Sequence, residues 1–525
     1  MRRLLVANRG EIALRIFRAC RAAGIETVAV AAPDDLGSLH ASSADALVEI
    51  SSYLDAAEHV RAAQEAGADA VHPGYGFLSE SAELAEAVLE AGLVWVGPPP
   101  AALRAGGDKL AAKETARAAG VPVLPTGDVG FPLVVKAAAG GGGRGMRVVR
   151  SAAELDDAVA AAQREAKAAF GDDTVFFERY LERPRHVEIQ LLADAHGAVA
   201  ALGERDCSVQ RRHQKVLEES PAVSERLRGE MSEAAIAFAQ AIGYVGAGTA
   251  EFVLEDGAFF FLELNARIQV EHPVTELVTG VDIVRSQFAI ARGETLDVAA
   301  ALAGHAVEVR LYAEDPVTFL PQAGRIERLV LPAGIRVDAG VAEGDEIGTS
   351  YDPMIAKLIA HAPTRGEALD LLADALGETV VDGVTTNLPF LRWLVDHPVL
   401  RAGGATTAFL TEHPPLSRTP AAPAPWNAVW RLNLPAPPPA PPPSAEAALG
   451  PSQEQSAVTA PMPGTVIKVL VAPGDRVVAR QPLLVLEAMK METPLASPYD
   501  ATVRAVHAGE GDRVAGGTLL VELEE

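Results

Sequence analysis

Residues 132–149 read PLVVKAAAGGGGRGMRVV, in which two apolar strands, Pro132–Val135 and Val148–Val149, lie on either side of a glycine run. Glycines let backbone N–H groups approach and surround phosphate oxygens, although a glycine run alone is also typical of a flexible hairpin loop. Two lysines favour phosphate binding, because Lys136 follows the first strand and Lys109 lies upstream in Gly-Asp-Lys. The stretch is not a Walker A motif, since Gly-Lys-Ser/Thr is absent.

Two acidic residues lie downstream in predicted strands among apolar neighbours, Glu251 in GTAEF and Glu263 in FLELN. A buried carboxylate without a partner is costly, so each should be paired with a cation. Salt bridges would meet that need. We favour a metal site that also includes Asn265, because oxygen ligands suit Mg²⁺ (or Mn²⁺) and the two acids flank one predicted hairpin.

The rest of the chain divides into regions that differ in their predicted secondary structure. Short strands, helices and turns alternate in residues 1–106, which predicts an open parallel α/β sheet; strand 3–8 and helix Glu11–Ala23 begin it. The glycine-rich unit extends over residues 107–300, and residues 301–410 have the mixed pattern of an α+β region.

Proline dominates residues 411–457, where Pro435–Ser444 reads PAPPPAPPPS. Such a segment cannot form helix or sheet, and it predicts a semi-rigid polyproline II linker.

Residues 458–525 repeat internally. Thr465-Val466 recurs as Thr502-Val503, and Gly-Asp-Arg-Val at 474–477 recurs at 511–514, each with an offset of 37 residues. Two β halves with Gly-Asp turns predict a flattened β-barrel with pseudo-two-fold symmetry.

A lysine between the two halves is a candidate modification site. Glu-Ala-Met-Lys-Met, residues 487–491, follows the apolar strand Leu483–Leu486 and precedes Pro494. This order predicts a hairpin tip that presents Lys490 to solvent. An isolated lysine on a turn is usually an ordinary surface residue, but exposed methionines on both sides have no folding role. An enzyme that recognises the tip would use them.

Composition excludes several classes of function. Acidic residues outnumber basic ones by 70 to 45, for a net charge of −25, which argues against nucleic-acid binding. No stretch approaches the ~18 apolar residues of a membrane span, and polar residues interrupt the N-terminal apolar run, so neither a membrane protein nor a secretory signal is expected. Only two cysteines occur, Cys20 and Cys207, and we expect a cytoplasmic protein in a reducing compartment.

The order Lys109, Lys136, glycine loop, Glu251 and Glu263-x-Asn265 resembles the ATP-grasp fold, and its details resemble biotin carboxylase from Leu5 to about Leu410. Its most specific stretches are VANRGEIA (6–13), HPGYGFLSE (72–80), ERDCSVQRRHQK (204–215) and NARIQVEHP (265–273). Glu-Ala-Met-Lys-Met resembles the attachment motif of biotinyl domains. Related lipoyl domains share the barrel but normally lack methionine on both sides of the lysine.

This resemblance implies a Rossmann-like N-terminal domain, an ATP-grasp domain with a lid, an α+β C-terminal biotin carboxylase domain and a biotinyl domain. It implies that ATP and bicarbonate form carboxyphosphate, and that biotin on Lys490 is then carboxylated. By the same resemblance Glu271 is the general base, and Arg336 steadies the enolate of biotin.

Other site residues follow from the resemblance in the same way. The bicarbonate pocket is assigned to Arg267, Gln269, the Val270 backbone and Lys215, and the biotin pocket to Tyr75. The ATP site is assigned to Lys109, Lys136, Gly141, Gly142, Gly143, Glu178, Tyr180, Leu181, His186, Gln210 and His213.

Simpler interpretations exist for some of these residues. Arg267 and Glu271 have the i,i+4 spacing of an ion pair on one helix. His186 taken alone would be a structural histidine. At least one of Arg211 and Arg212 would belong to a solvated basic surface.

The leading hypothesis is the biotin-bearing α subunit of an acyl-CoA carboxylase. Its expected partners are a separate carboxyltransferase β subunit, a biotin-protein ligase, bicarbonate and further copies of itself. The alternatives are a carrier-only subunit with an impaired ATP-grasp region, and another ATP-grasp ligase with a lipoyl-type carrier. Only 27 residues separate Lys109 from Lys136, fewer than is usual in the family. The missing piece corresponds to a lid helix, and we expect activity to be retained without it.

Overall fold

A computed structural model of the chain describes residues 1–138, 146–170, 172–211, 214–298, 301–414, 457–462, 464–488 and 491–524. Only the backbone is described for residues 165, 168–170, 487–488 and 491–493. Most of the proline-rich linker, the predicted glycine ligands and Lys490 therefore lie outside the described residues.

The N-terminal unit is an open parallel sheet of strand order β3-β2-β1-β4-β5, as the sequence predicts. Strand β1 is central, and Leu4, Leu5 and Val6 are fully buried because both faces of the sheet are covered. Gly10, with φ +66°, turns the chain from β1 into the first helix. The elements are β1 (Arg3–Val6), α1 (Gly10–Ala22), β2 (Glu26–Ala31), α2 (Leu39–Ser43), β3 (Ala46–Glu49), α3 (Ala56–Glu65), β4 (Ala70–His72), α4 (Ala82–Glu90), β5 (Val94–Trp95) and α5 (Pro100–Gly107).

The central unit begins with α6 (Lys109–Ala118), whose N-cap Asp108 accepts hydrogen bonds from the backbone of Leu110 and Ala111. A small three-stranded sheet of order β7-β6-β8 follows, and we call this sheet, with the α7 helix packed on it, the lid. Its elements are β6 (Leu133–Ala137), β7 (Arg147–Val149), a 3₁₀ turn (Ala152–Glu154), α7 (Leu155–Phe170) and β8 (Val175–Arg179). Residues 119–132, all described, contain no helix, which agrees with the short spacing in the sequence.

An eight-stranded antiparallel sheet joins the central and C-terminal units, with strand order β13-β12-β9-β10-β11-β14-β19-β17. The central unit contributes β9 (Arg185–Ala193), β10 (Val199–Arg211), β11 (Gln214–Ser220), α8 (Glu225–Ala241), β12 (Gly246–Glu255), β13 (Ala258–Asn265), α9 (His272–Thr279) and α10 (Ile283–Ala291). The pairing of β11 with β14 makes the two units one continuous surface.

The C-terminal unit has the mixed composition that the sequence predicts. Its elements are β14 (His305–Tyr312), β15 (Gly324–Arg325), β16 (Arg328–Val330), β17 (Arg336–Ala339), β18 (Glu346–Ile347), β19 (Met354–Ala362), α11 (Arg365–Glu378), β20 (Val380–Asp382), α12 (Leu388–Asp396), α13 (Pro398–Arg401) and α14 (Phe409–Glu412). Helix α11 begins with a capping box between Thr364 and Glu367.

The C-terminal module consists of two four-stranded sheets, β21-β28-β26-β23 and β25-β24-β22-β27. Its strands are β21 (Ala457–Thr459), β22 (Gly464–Val469), β23 (Arg476–Val477), β24 (Pro482–Ala488), β25 (Met491–Ala496), β26 (Ala501–Val506), β27 (Arg513–Val514) and β28 (Leu519–Glu524). The predicted symmetry is present, because Thr465 pairs with Arg513 and Arg476 pairs with Thr502 at the same offset. The flattened barrel of the prediction thus takes the form of two sheets around one apolar core.

In the described part of the chain, no helix combines the length and apolar character that crossing a membrane requires.

Candidate active site

A cavity of about 520 Å³ lies between the lid and the eight-stranded sheet. Its volume is within the usual range for a ligand site. Nine of the residues predicted to bind ATP or metal line it: Lys109, Lys136, Glu178, Tyr180, Leu181, His186, Gln210, Glu251 and Glu263. Predicted ligands Gly141, Gly142, Gly143 and His213 lie outside the described residues.

Glu178 on β8 is held by two lysines. Its side chain is fully buried, Oε1 accepts a hydrogen bond from Lys113 Nζ at 2.5 Å, and Oε2 accepts one from Lys136 Nζ. Burial alone would raise the pKa of Glu178, but the charges of Lys136 and Lys113 outweigh it and hold that pKa below its usual value. Glu178 is therefore a carboxylate that fixes the lid to the cavity wall.

Lys113 was missed by sequence reasoning, although a signal was present. It follows Lys109 by four residues on α6, so both lysines lie on one face of that helix and line the cavity. Lys109 Nζ lies 3.3 Å from Glu263 Oε2.

The three predicted metal ligands lie on one face of adjacent strands. Glu251 on β12 is directly opposite Glu263 on β13, and Asn265 follows two residues later. Two carboxylates and an amide oxygen are a donor set that fits Mg²⁺. Asn265 Oδ1 accepts a hydrogen bond from Arg267 Nη2 at 2.9 Å, so this oxygen faces a cation already.

Lys215 on β11 is surrounded by carboxylates. Its Nζ lies 2.5 Å from Glu188 Oε2, 2.9 Å from Glu251 Oε1 and 2.6 Å from Glu271 Oε1. Burial alone would lower the pKa of Lys215, but these charges outweigh it and raise the pKa well above its usual value. The closely spaced group of His186, Glu188 and Glu251 has the donor types of a metal site, but the Lys215 ammonium supplies its positive charge.

Glu271, the predicted base, lies between two cations. Its Oε1 faces Lys215, and its Oε2 accepts a hydrogen bond from Arg310 Nη2 at 3.1 Å. Burial would raise the pKa of Glu271, but the charges of Lys215, Arg310 and Arg205 outweigh it and lower that pKa. The carboxylate is therefore ionised at neutral pH.

The helical ion pair considered for Arg267 and Glu271 is wrong, because the segment between them is an irregular loop and α9 begins only at His272. Arg267 instead contacts Asn265 and lies 3.5 Å from Glu80 Oε2. The loop conformation lets these two side chains point toward different partners.

A fully buried arginine orders the loop of residues 266–271. Arg205 donates to Glu188 Oε1 at 2.6 Å and to Gln269 Oε1 at 3.2 Å. Gln269 in turn donates to Glu251 Oε1 at 3.0 Å. Sequence reasoning missed Glu188, Arg205 and Arg310, although Glu188 and Arg310 stand beside apolar residues in the sequence, a signal that each needs a charged partner if buried.

His186 and Arg211 resolve two further alternatives. His186 Nε2 lies 3.0 Å from Glu251 Oε2, so this histidine belongs to the cavity wall. Arg211 is buried and donates to Glu314 Oε1 at 2.9 Å, which removes it from any solvated basic face. Arg212 lies outside the described residues.

The two residues predicted to contact biotin, Arg336 and Tyr75, lie in one charged network, which Lys357 closes by lying 3.9 Å from Asp338 Oδ2. Arg336 Nη1 donates to Glu276 Oε2 at 2.8 Å and Nη2 to Asp338 Oδ2 at 2.9 Å. Arg336 also lines a second cavity, of about 460 Å³, which Tyr75 does not line.

Lys357 connects Tyr75 to the loop of residues 266–271. Tyr75 donates its hydroxyl to Glu11, whose Oε1 lies 3.1 Å from Lys357 Nζ. Lys357 also donates to the Val270 carbonyl oxygen at 2.7 Å.

These features define a class of protein. A lid sheet and a second sheet that enclose lysines and paired glutamates are the architecture of an ATP-grasp enzyme. The symmetric C-terminal module is that of a biotinyl or lipoyl carrier.

Comparisons with known proteins identify the family. Four family models match: Biotin carboxylase, N-terminal domain, over residues 1–103; Carbamoyl-phosphate synthase L chain, ATP binding domain, over 110–299; Biotin carboxylase C-terminal domain, over 308–412; and Biotin-requiring enzyme, over 456–523. A biotin carboxylase of Halalkalibacterium halodurans is 47% identical over 441 residues, covering 78% of this chain and 98% of that protein. The chain belongs to the biotin carboxylase family.

One relative matches along nearly the entire chain. The biotin-dependent acyl-coenzyme A carboxylase alpha3 subunit of Mycobacterium leprae is 40% identical over 588 residues, covering 99% of this chain and 98% of that protein. This likeness excludes a different ATP-grasp ligase joined to a lipoyl-type carrier.

Solved structures agree with the fold. A Campylobacter jejuni biotin carboxylase in complex with an ATP ligand has a TM-score of 0.77 and 40% identity, covering 78% of this chain and 99% of its own. The biotin carboxylase domain of the Hydrogenobacter thermophilus 2-oxoglutarate carboxylase, a dimer with MgADP, ADP and bicarbonate, has a TM-score of 0.77 and 42% identity, covering 79% and 98%. The chain is thus an ATP-dependent biotin carboxylase with its own biotinyl domain, and its cofactors are biotin, ATP and Mg²⁺.

Proposed function

We propose that Glu271 removes the proton from bicarbonate and that Lys215 couples this base to the ATP cavity. A single observation carries the proposal: one ammonium group bonds both Glu271 and Glu251, and Glu251 lines the cavity. A phosphate held near Glu251 would therefore lie close to a bicarbonate ion held near Glu271. Such proximity is what a reaction between two bound anions needs.

Lys215 also sets the strength of the base. Its charge keeps the pKa of Glu271 low, and a base with a low pKa accepts a proton poorly. Bicarbonate is an anion, so its arrival beside Arg267 and Gln269 would draw Lys215 away from Glu271. The carboxylate would then become more basic at the moment when its substrate is present.

The reaction divides between the two ends of this site. Glu271 takes the bicarbonate proton, the freed oxygen attacks the terminal phosphorus of ATP, and the bond from that phosphorus to ADP breaks. We assign Glu251, Glu263 and Asn265 to Mg²⁺, which when bound neutralises phosphate charge. Lys109 and Lys136 hold the phosphates, and the lid, although it lacks one helix, retains both Lys136 and Glu178.

At the other end, we assign Arg336 and Tyr75 to biotin. Biotin on Lys490 would supply a ureido nitrogen that loses its proton to the phosphate released from carboxyphosphate and bonds to the CO2 released with it. Arg336 offers a fixed guanidinium, held by Glu276 and Asp338, to negative charge that develops on a ligand oxygen.

We further infer that the chain is the α subunit of an acyl-CoA carboxylase. The full-length likeness to an acyl-coenzyme A carboxylase alpha3 subunit supports this. A separate carboxyltransferase subunit would take the carboxyl group to an acyl-CoA, and a biotin-protein ligase would modify Lys490.

We also propose an oligomeric state, a cellular location and the limits of the domains. We expect self-association and a cytoplasmic location, and the free, buried state of Cys20 and Cys207 suits a reducing compartment. Domains are placed at residues 1–106, 107–300, 301–410 and 458–525, with a linker at 411–457.

Replacing Glu271 tests the assignment of the base. We expect Glu271→Gln to lower bicarbonate- and biotin-dependent ATP hydrolysis by about 10²–10⁴-fold, because general-base catalysis contributes that much. ADP release in the presence of free biotin measures the rate. Glu114→Gln, at an exposed position of α6, is the control and should behave as the unmodified chain does.

Two outcomes would contradict these conclusions in different ways. Full activity in Glu271→Gln would remove the base from this position. An unmodified chain that hydrolyses no ATP would instead favour a carrier-only subunit whose shortened lid no longer supports turnover.

A further inference from the structure

Glu178 poses a problem for ATP binding. Its side chain is fully buried, and one of its two partners is Lys136, which is assigned to the phosphates of ATP. The negative charges on the phosphates of ATP would draw Lys136 away from Glu178. A buried carboxylate that loses its counter-ion is strongly destabilised, so this exchange would by itself oppose nucleotide binding.

Lys113 supplies a second counter-ion that need not move. It bonds Oε1 of Glu178, whereas Lys136 bonds Oε2, so the two lysines do not compete for one oxygen. The side chain of Lys113 is 3% exposed and that of Lys136 is 17% exposed. The more exposed lysine is therefore the one free to turn toward a ligand.

The backbone around Lys113 favours a fixed position. Lys113 lies in the middle of α6, a helix that Asp108 caps and that packs against β13 and α8. Its bond to Glu178 joins this helix to β8 of the lid. Residues 119–132, which connect α6 to the lid, contain no helix. The bond from Lys113 to Glu178 is therefore one of the links that hold the lid sheet to the body of the molecule.

We propose that Lys113 is a positioning residue that keeps Glu178 paired while Lys136 exchanges that carboxylate for the phosphates of ATP. The inference rests on the proposed assignment of Lys136 to ATP. Lys113 itself stays with Glu178 in both states and does not contact the phosphates. ATP affinity thus depends on a lysine that the nucleotide never touches.

The first test is Lys113→Met in the full-length, biotinylated protein. We expect the KM for ATP to rise about tenfold, with the KM for bicarbonate within about twofold of its original value, because the cost falls on nucleotide binding alone. Lys113→Arg should recover most of the affinity, since it restores the charge. Arg117→Met, at an exposed position on the same helix, is the matched control.

The second test separates positioning from mere support of the fold. If Lys113 acts only through the charge of Glu178, then Lys113→Met should change the KM for ATP by less than about twofold when Glu178→Gln is already present. A tenfold change in that background as well would overturn the proposal, as would an unchanged KM in Lys113→Met alone. The double variant also keeps the test open if Lys113→Met does not fold.

A third variant, Lys136→Met, distinguishes the role proposed for Lys113 from the assignment of Lys136 to ATP, on which that role rests. Lys136→Met that binds ATP as well as the unmodified chain would refute the role of Lys136. Lys136→Met that binds ATP poorly, combined with a normal Lys113→Met, would refute the role of Lys113 only. Equilibrium binding of ATP in the absence of bicarbonate measures both.

Discussion

Lys215 shows how single residues hold this site together. Three carboxylates, Glu188, Glu251 and Glu271, lie within hydrogen-bonding distance of one ammonium group. Burial strengthens each attraction because little water screens it, and it also makes the removal of any one partner costly. Arg205 and Arg310 balance the remaining negative charge. The site is therefore a set of mutually dependent charges rather than a row of independent ligands.

His72 provides a test of how burial affects a titratable side chain away from the reacting groups. It is fully buried at the end of β4, where Nδ1 accepts from the Gly74 backbone at 2.9 Å and Nε2 faces Gln287 Oε1 at 3.2 Å. Burial lowers its pKa from 6.5 to about 4. The unfolded chain therefore takes up the proton first as the pH falls, so the native state loses stability between these two values.

We expect this loss to be about 2 kcal/mol for His72 at about pH 5. Urea unfolding at about pH 5 and about pH 7.5 measures it. His72→Asn cannot titrate, so its loss of stability on acidification should be smaller than that of the unmodified chain by this amount. An equal loss in both proteins would show that His72 is protonated in the folded state without penalty.

At the residue scale, the motifs predicted which side chains belong to the site but not how they pair. The local sequence predicts Glu251 and Glu263, and the family resemblance predicts Glu271; the first two line the cavity, and Glu271 is joined to Glu251 through Lys215. Arg205 and Arg310 were not predicted, because only the order of strands in the sheet brings Arg205 to Glu188 and Arg310 to Glu271. Lys113 is the exception, since its helical spacing from Lys109 was visible.

The carrier module shows most clearly how sequence determines an element. Gly474 and Gly511 occupy equivalent turns with φ +96° and +92°. The Gly474 N–H donates to Val503 O and the Gly511 N–H to Val466 O, each at 2.7 Å. The positive φ angle, and not close packing, requires glycine at both positions, since a Cβ at either would meet nothing within 4 Å.

We expect Gly474→Ala and Gly511→Ala to destabilise the module equally, by about 1–2 kcal/mol each, because an L residue is strained at these angles. Calorimetry of the full-length chain measures the melting temperature of the module. Gly509→Ala, close in sequence but without a positive φ, is the control and should leave that temperature nearly unchanged. A large effect at only one of the two turns would contradict their equivalence.

Elements were predicted well where their periodicity is strong. The first helix, the strands beside the glycine run and the 37-residue repeat all appear close to their expected places. The eight-stranded sheet was not foreseen, because Glu218 and Glu308 pair across it although they are distant in sequence. Local patterns carry no information about such pairings.

At the scale of the whole molecule, the carboxylase region and the carrier module must cooperate. The residues proposed to bind ATP line the cavity between the lid and the large sheet, and Arg336, which is proposed to contact biotin, lines the second cavity. The carrier strands β24 and β25 approach each other on either side of residues 489–490, which lie outside the described residues. We expect the linker predicted at 411–457 to keep the carrier at a high effective concentration near the site.

The most direct measurement follows labelled carboxyl groups. The biotinylated chain, given ATP, Mg²⁺ and radiolabelled bicarbonate, should acquire about one acid-labile label per chain, and Lys490→Arg should acquire none. The same variant should still hydrolyse ATP when free biotin is supplied, because its carboxylase site is intact. Label retained by Lys490→Arg, or absent from the biotinylated chain, would contradict the conclusion that one polypeptide both activates bicarbonate and carries the carboxyl group.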